Sequence, residues 1–85
     1  MAANPIVKAE QATHGDGVVS RWEYYEGGVI ARVEEDTTGD GQIDKWEYYM
    51  GGDLTRIDLD LRGGGRPTRR ILFRADGSTE SQSLP

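Results

Sequence analysis

The sequence of 85 residues contains no cysteine, so neither a disulfide nor a thiolate metal site can stabilise the fold. It also lacks a long apolar run, and we therefore expect no membrane insertion. The net charge of −5 argues against binding to nucleic acid or to an anionic membrane surface.

The sequence also lacks the residues that common catalytic sites need. It has one histidine, and no serine stands in a nucleophile-elbow context. The run Gly63-Gly64-Gly65 has no following lysine and helix, so it is not a phosphate-binding loop. We therefore predict that the protein is not an enzyme.

Two stretches of the chain repeat each other at an offset of 24 residues, from Gly15-Asp16-Gly17 to Gly39-Asp40-Gly41 and from Trp22-Glu23-Tyr24-Tyr25 to Trp46-Glu47-Tyr48-Tyr49. Self-similarity of this kind is typical of repeat proteins, in which each unit buries its surface on its neighbours. We interpret residues 1–85 as one repeat domain with units at about 5–28, 29–52 and 53–77.

Each unit has the composition of a β-hairpin. Tyr, Trp, Val and Ile favour strands, and Gly27-Gly28 and Gly51-Gly52 are two-residue hairpin turns. The pattern predicts an all-β antiparallel meander of about six strands, with EF-hand-like acidic loops but no EF-hand helices. The expected strands are 5–11, 20–26, 29–36, 43–50, 53–61 and 68–75, with a weakly patterned seventh at 78–82 after a turn at Asp76-Gly77.

Counting outward from the Gly-Gly turns gives a strand register. In the first hairpin, Tyr24 would face Ala31, and Glu23 would face Arg32 as a cross-strand ion pair. The second hairpin would repeat this arrangement. The predicted core face consists of Trp22, Tyr24, Ala31, Val33, Trp46, Tyr48, Thr55 and Ile57.

The stretch 36–47 has the pattern of a calcium loop, D-x-[DN]-x-[DN]-G with an acidic twelfth residue. Side-chain or backbone oxygens would come from Asp36, Thr38, Asp40, Gln42, Asp44 and Glu47. The alternative is a solvated turn, because Asp and Gly are also common turn residues. At Glu47 we expect calcium to prevail over an ion pair with Arg56.

The other two loops match this pattern less well. The loop 12–23 offers a weaker second site from Asp16, the Val18 carbonyl, Ser20 and Glu23, but it begins with an alanine. At Glu23 we expect the ion pair with Arg32 to prevail. The loop 60–71 carries Arg62 and Gly64 at ligand positions, so no calcium is expected there.

Partner contacts are predicted on the face opposite the tryptophans and at the basic C-terminal unit. The candidate residues are Tyr25, Tyr49, Arg66, Arg69 and Arg70. Exposed outer strands also invite pairing between copies, so a homo-oligomer through the sheet edges is a further expectation.

The spacing D-x-T-x-D-G-x-x-D-x-W-E-Y-Y in residues 36–49 resembles bacterial secreted or lipoprotein-type repeats in which EF-hand-like loops join β-hairpins. The hairpins are loosely similar to Tyr-Tyr-x-x-Gly antitoxin-like repeats. The resemblance implies an extracytoplasmic protein (secreted, periplasmic or at the cell surface) whose targeting segment is absent from this chain. It implies a calcium-binding module with a structural, adhesive or scaffolding role. The alternative is a metal-independent β-meander that binds a protein or glycan through its aromatic and arginine surface.

Overall fold

The computed structural model describes residues 7–85, which form one antiparallel sheet of seven strands in chain order. The strands are β1 (Val7–Gln11), β2 (Arg21–Glu26), β3 (Val29–Glu35), β4 (Lys45–Met50), β5 (Asp53–Leu59), β6 (Arg69–Phe73) and β7 (Thr79–Ser83). The predicted antiparallel meander is confirmed, including the seventh strand. Residues 5 and 6 of the predicted first strand lie outside the described residues. Within residues 7–85, no helix has the length and hydropathy to cross a membrane.

Glycine makes the tight hairpin turns. Gly27 and Gly28 have φ angles of 60° and 82°, a conformation that a two-residue turn needs and that other residues rarely adopt. The turn at Gly51-Gly52 has the same form, with φ angles of 59° and 89°. The predicted turn at Asp76-Gly77 joins β6 to β7, and the Asp76 carboxylate accepts a hydrogen bond from Ser78 N at 2.9 Å.

A β-bulge beyond each Gly-Gly turn makes the predicted register wrong. Tyr25 pairs with Ile30 as predicted, but Tyr24 pairs with Arg32, so Ala31 is an extra residue. Thr55 is the corresponding extra residue between β4 and β5. A shift of one residue moves every later side chain to the opposite face of the sheet.

The shift separates the residues of the predicted core. Val33 now pairs with Glu23 and Glu47, on the face opposite the tryptophans. Ile57 likewise pairs with Glu47 rather than lying beside Trp46. The prediction that Val33 and Ile57 share a face with the tryptophans is therefore wrong, while the placement of Tyr25 and Tyr49 on the other face is confirmed.

The sheet thus has two unlike faces. One, called here the aromatic face, carries Trp22, Tyr24, Arg32, Trp46, Tyr48, Arg56 and Leu72. The other, called here the aliphatic face, carries Tyr25, Ile30, Val33, Tyr49, Leu54, Ile57, Leu59, Ile71 and Phe73.

Neither face is covered by a second layer of the described chain. Among residues 8–85, Val33 is the one apolar residue that is fully buried. The tryptophans and tyrosines are half-buried. Domains usually bury a sheet face against another layer. Both faces of this sheet therefore remain open to water or to a partner.

Candidate functional site

The central acidic loop is closed by the carboxylate of Asp36. This side chain follows β3 and is only 5% exposed. It accepts hydrogen bonds from the backbone N–H groups of Thr38, Gly39 and Gly41 at 3.2, 2.8 and 2.8 Å. Burial by itself would raise the pKa of Asp36, but these backbone donors together lower it below its ordinary value.

The third loop has the same geometry although it lacks the calcium pattern. Asp60 accepts hydrogen bonds from the N–H groups of Arg62, Gly63 and Gly65 at 3.0, 2.8 and 2.7 Å. Its pKa is also lowered, because the backbone donors outweigh the effect of burial. The same turn therefore forms around Asp60 although Arg62 stands at a ligand position of the calcium pattern.

The first loop begins with an alanine and is held by other groups. Ser20 is 3% exposed, and its hydroxyl accepts a hydrogen bond from Thr13 N at 2.9 Å. Asp16 accepts one from Val18 N at 2.9 Å. Nε2 of His14 lies 2.8 Å from the Asp36 carbonyl oxygen, so the first loop contacts the second.

The remaining predicted calcium ligands are spread along the central loop and the sheet. Asp40 accepts a hydrogen bond from Gln42 N at 2.9 Å, and Asp44 accepts one from Thr37 N at 3.0 Å. Across residues 7–85, no group of three or more His, Cys, Asp or Glu side chains is arranged to hold a metal ion. The calcium site stays a prediction.

Glu47, the predicted twelfth ligand, lies on the aliphatic face among other partners. One of its oxygens is 3.1 Å from Lys45 Nζ and 3.9 Å from Arg21 Nη1. The other accepts a hydrogen bond from the Tyr49 hydroxyl at 2.6 Å. Burial raises the pKa of Glu47, but Tyr49 and Lys45 lower it overall. Burial and the same hydrogen bond raise the pKa of Tyr49 to about 12.

Glu23 repeats this arrangement one unit earlier. Its oxygens lie 3.0 Å from Arg21 Nε and 3.0 Å from the Tyr25 hydroxyl, which donates to it. The predicted cross-strand ion pair of Glu23 with Arg32 is wrong, and Arg56 does not face Glu47 as the predicted register required. The bulges place both arginines on the aromatic face.

On the aromatic face, the arginines stack on tyrosine rings. The guanidinium carbon of Arg32 lies 4.4 Å from the ring centre of Tyr24, and that of Arg56 lies 4.1 Å from the ring centre of Tyr48. Sequence reasoning missed these cation–π pairs. The repeated tyrosine and arginine were visible, but the bulge that joins them was not.

The three arginines proposed as partner contacts do not come together. Arg66 is exposed in the third loop. Arg69 lies on the aliphatic face, where it donates to Ser81 Oγ at 2.7 Å. Arg70 lies on the aromatic face and binds the buried Asp58 with two nitrogens, at 3.0 and 3.3 Å.

Comparisons with protein-family models, with curated proteins and with solved structures find no match to this chain.

Proposed function

We propose that this protein is a metal-independent interaction module that binds a protein or glycan through its aromatic face. The proposal depends on one observation. The side chains of both sheet faces are only half-buried, and Val33 alone is fully buried among the apolar residues described. Exposed apolar patches mark interaction sites in soluble proteins, and this supports the proposed role.

The composition of the aromatic face fits that role. Trp, Tyr and Arg are the residue types that contribute most to binding at interface centres. Trp22 and Trp46 lie in one row across the sheet, separated by Glu34 on the strand between them. Stacking on Tyr24 and Tyr48 holds two guanidinium groups in place, which lowers the entropy lost when a partner binds them.

Binding to glycan and peptide arrays tests this function. Trp46→Ala, once circular dichroism shows that it folds, should weaken binding by about tenfold or more, as expected for a central aromatic residue. Leu61→Ala is the control, because Leu61 is 65% exposed and lies in the third loop, outside the sheet. Equal binding by wild type, Trp46→Ala and Trp22→Ala would contradict the proposal.

Calcium binding by the central loop is a second candidate, favoured by one contact. The Thr38 hydroxyl lies 3.3 Å from an Asp36 carboxylate oxygen, so the first and third ligand positions of the pattern are adjacent. Outside the cytoplasm, millimolar calcium could fill a site with a dissociation constant of about 10⁻⁴–10⁻³ M. In this case the module would be a calcium-stabilised scaffold.

Calorimetry with matched variants tests the second candidate. Asp40 and Asp16 make equivalent hydrogen bonds, to Gln42 N and Val18 N, each at 2.9 Å. Substituting either aspartate with alanine therefore has a similar local cost. If the central loop binds calcium, Asp40→Ala abolishes the heat of binding and Asp16→Ala preserves it. No heat from the wild-type protein at millimolar calcium would refute this candidate.

A further inference from the structure

We propose that the aliphatic face is covered by the same face of a second copy, giving a face-to-face homodimer. The proposal rests on the proposed function in one respect, namely that the sheet surface binds partners. The dimer leaves the aromatic face free. It differs from pairing through the sheet edges, because the contact is made by side chains and not by backbone hydrogen bonds.

The first argument is the apolar surface of this face. Ile57, Ile71 and Phe73 are half-buried and lie together on β5 and β6. Leu54, next to Tyr49, extends this surface towards the hairpin turns. Burial of apolar area is the main driving force for association, and the described chain supplies no second layer to bury it.

The second argument is that five of the six charged groups of this face already have ion-pair partners, and the sixth, Arg69, donates to Ser81 Oγ. Arg21 contacts Glu23 and Glu35 at 3.0 and 3.2 Å, and Lys45 contacts Glu47 at 3.1 Å. Burying charged groups costs less when they are paired and hydrogen-bonded than when they have no partner. This face therefore loses few hydrogen bonds to water when another surface covers it.

The third argument is charge. The face carries three cations and three anions, namely Arg21, Lys45, Arg69, Glu23, Glu35 and Glu47. It is therefore neutral, whereas the whole chain has a net charge of −5. A neutral face can meet a copy of itself around a two-fold axis without net repulsion.

The size of the sheet is also sufficient. The molecule measures 41 × 37 × 22 Å, so its thin dimension is perpendicular to a broad sheet. A standard interface buries about 800 Å² on each partner. A face within the two larger dimensions can supply that area.

Sedimentation equilibrium with two neighbouring substitutions tests the proposal. Ile71 and Leu72 are adjacent on β6 and point to opposite faces, aliphatic and aromatic. We expect a wild-type dimer at micromolar concentration. Ile71→Arg should raise the dissociation constant by more than about tenfold, because it buries an unpaired charge, and Leu72→Arg should leave it unchanged.

A measurement on the wild-type protein covers the case in which Ile71→Arg does not fold. A soluble paramagnetic agent should broaden the methyl signals of Leu72 strongly and those of Ile57 and Ile71 weakly. A monomer at all concentrations, equal broadening on both faces, or a dimer weakened by Leu72→Arg and not by Ile71→Arg would overturn the proposal. Array binding by wild type and by Trp46→Ala is a separate measurement from the oligomeric state, so the two proposals can fail separately.

Discussion

Asp58 is the most buried polar residue described, and we expect loss of its charge to lower the free energy of unfolding strongly. The carboxylate lies on β5 and is 2% exposed. It accepts two hydrogen bonds from Arg70, at 3.0 and 3.3 Å. Arg56 Nε lies 3.5 Å away, as an ion-pair contact without a hydrogen bond. Asp58→Asn keeps the shape of the side chain and removes its charge.

The cost follows from how far each partner is buried. Breaking a fully buried ion pair costs about 3–5 kcal/mol. Here the side chains of Arg70 and Arg56 are 32% and 34% exposed, so water recovers part of that loss. We therefore expect Asp58→Asn to lower the free energy of unfolding by about 2 kcal/mol, or the melting temperature by about 10 °C.

Urea unfolding followed by tryptophan fluorescence measures this cost. The matched control is Glu10→Gln, which removes a charge from the same row of the aromatic face. Glu10 pairs with Lys8 at 3.4 Å, but both side chains are about half exposed, so its loss should cost under about 0.5 kcal/mol. Equal costs for the two variants would refute the claim that the buried Asp58 stabilises the fold through its ion pair with Arg70.

Three further predictions concern the loops and the aliphatic face. The pKa values of Asp36 and Asp60 are lowered on folding, so their stabilisation is present above about pH 4 and is lost as the pH falls through the folded values. Asp60→Asn should therefore make the free energy of unfolding fall less steeply as the pH is lowered below about 4, as urea midpoints would show. The same fall in wild type and variant would contradict this. Folding raises the pKa of Tyr49 from 10.0 to about 12. The stabilisation from its protonated form is therefore complete below pH 10 and is lost as the pH rises to 12. Tyr49→Phe should remove this pH dependence in urea titrations at alkaline pH. Gly41→Ala should cost about 1 kcal/mol, because Gly41 has a φ of 88°. Thermal melts measure this cost, and Gly64→Ala should cost almost nothing in them, because Gly64 has open space around it and no such φ angle.

The meander could be predicted because its signals are local. Gly-Gly between aromatic runs specifies a tight hairpin, and the outcome at Gly27-Gly28 follows from the positive φ that glycine permits. The faces could not be predicted as well, because the bulges fall on Ala31 and Thr55. Neither residue type marks a bulge, yet one extra residue reverses the faces of everything beyond it.

The candidate site shows a similar limit. The acidic residues of the central loop were identifiable from spacing, but spacing does not tell whether a carboxylate faces a cation or the N–H groups of its own turn. Asp60 accepts hydrogen bonds from the N–H groups of its own turn even though Arg62 occupies a ligand position. The stacking of Arg32 on Tyr24 was hidden because it depends on the bulge.

Hydrogen exchange of four glycine amides tests most directly the claim that the loops close without metal. The amides of Gly39 and Gly41 donate to Asp36, and those of Gly63 and Gly65 donate to Asp60. In chelator we expect similar protection in both loops, and added calcium should change neither. The contrary result is that the Gly39 and Gly41 amides exchange freely in chelator and become protected only with calcium, while those of Gly63 and Gly65 do not respond. That result would make the central loop a calcium site and would contradict a metal-independent fold.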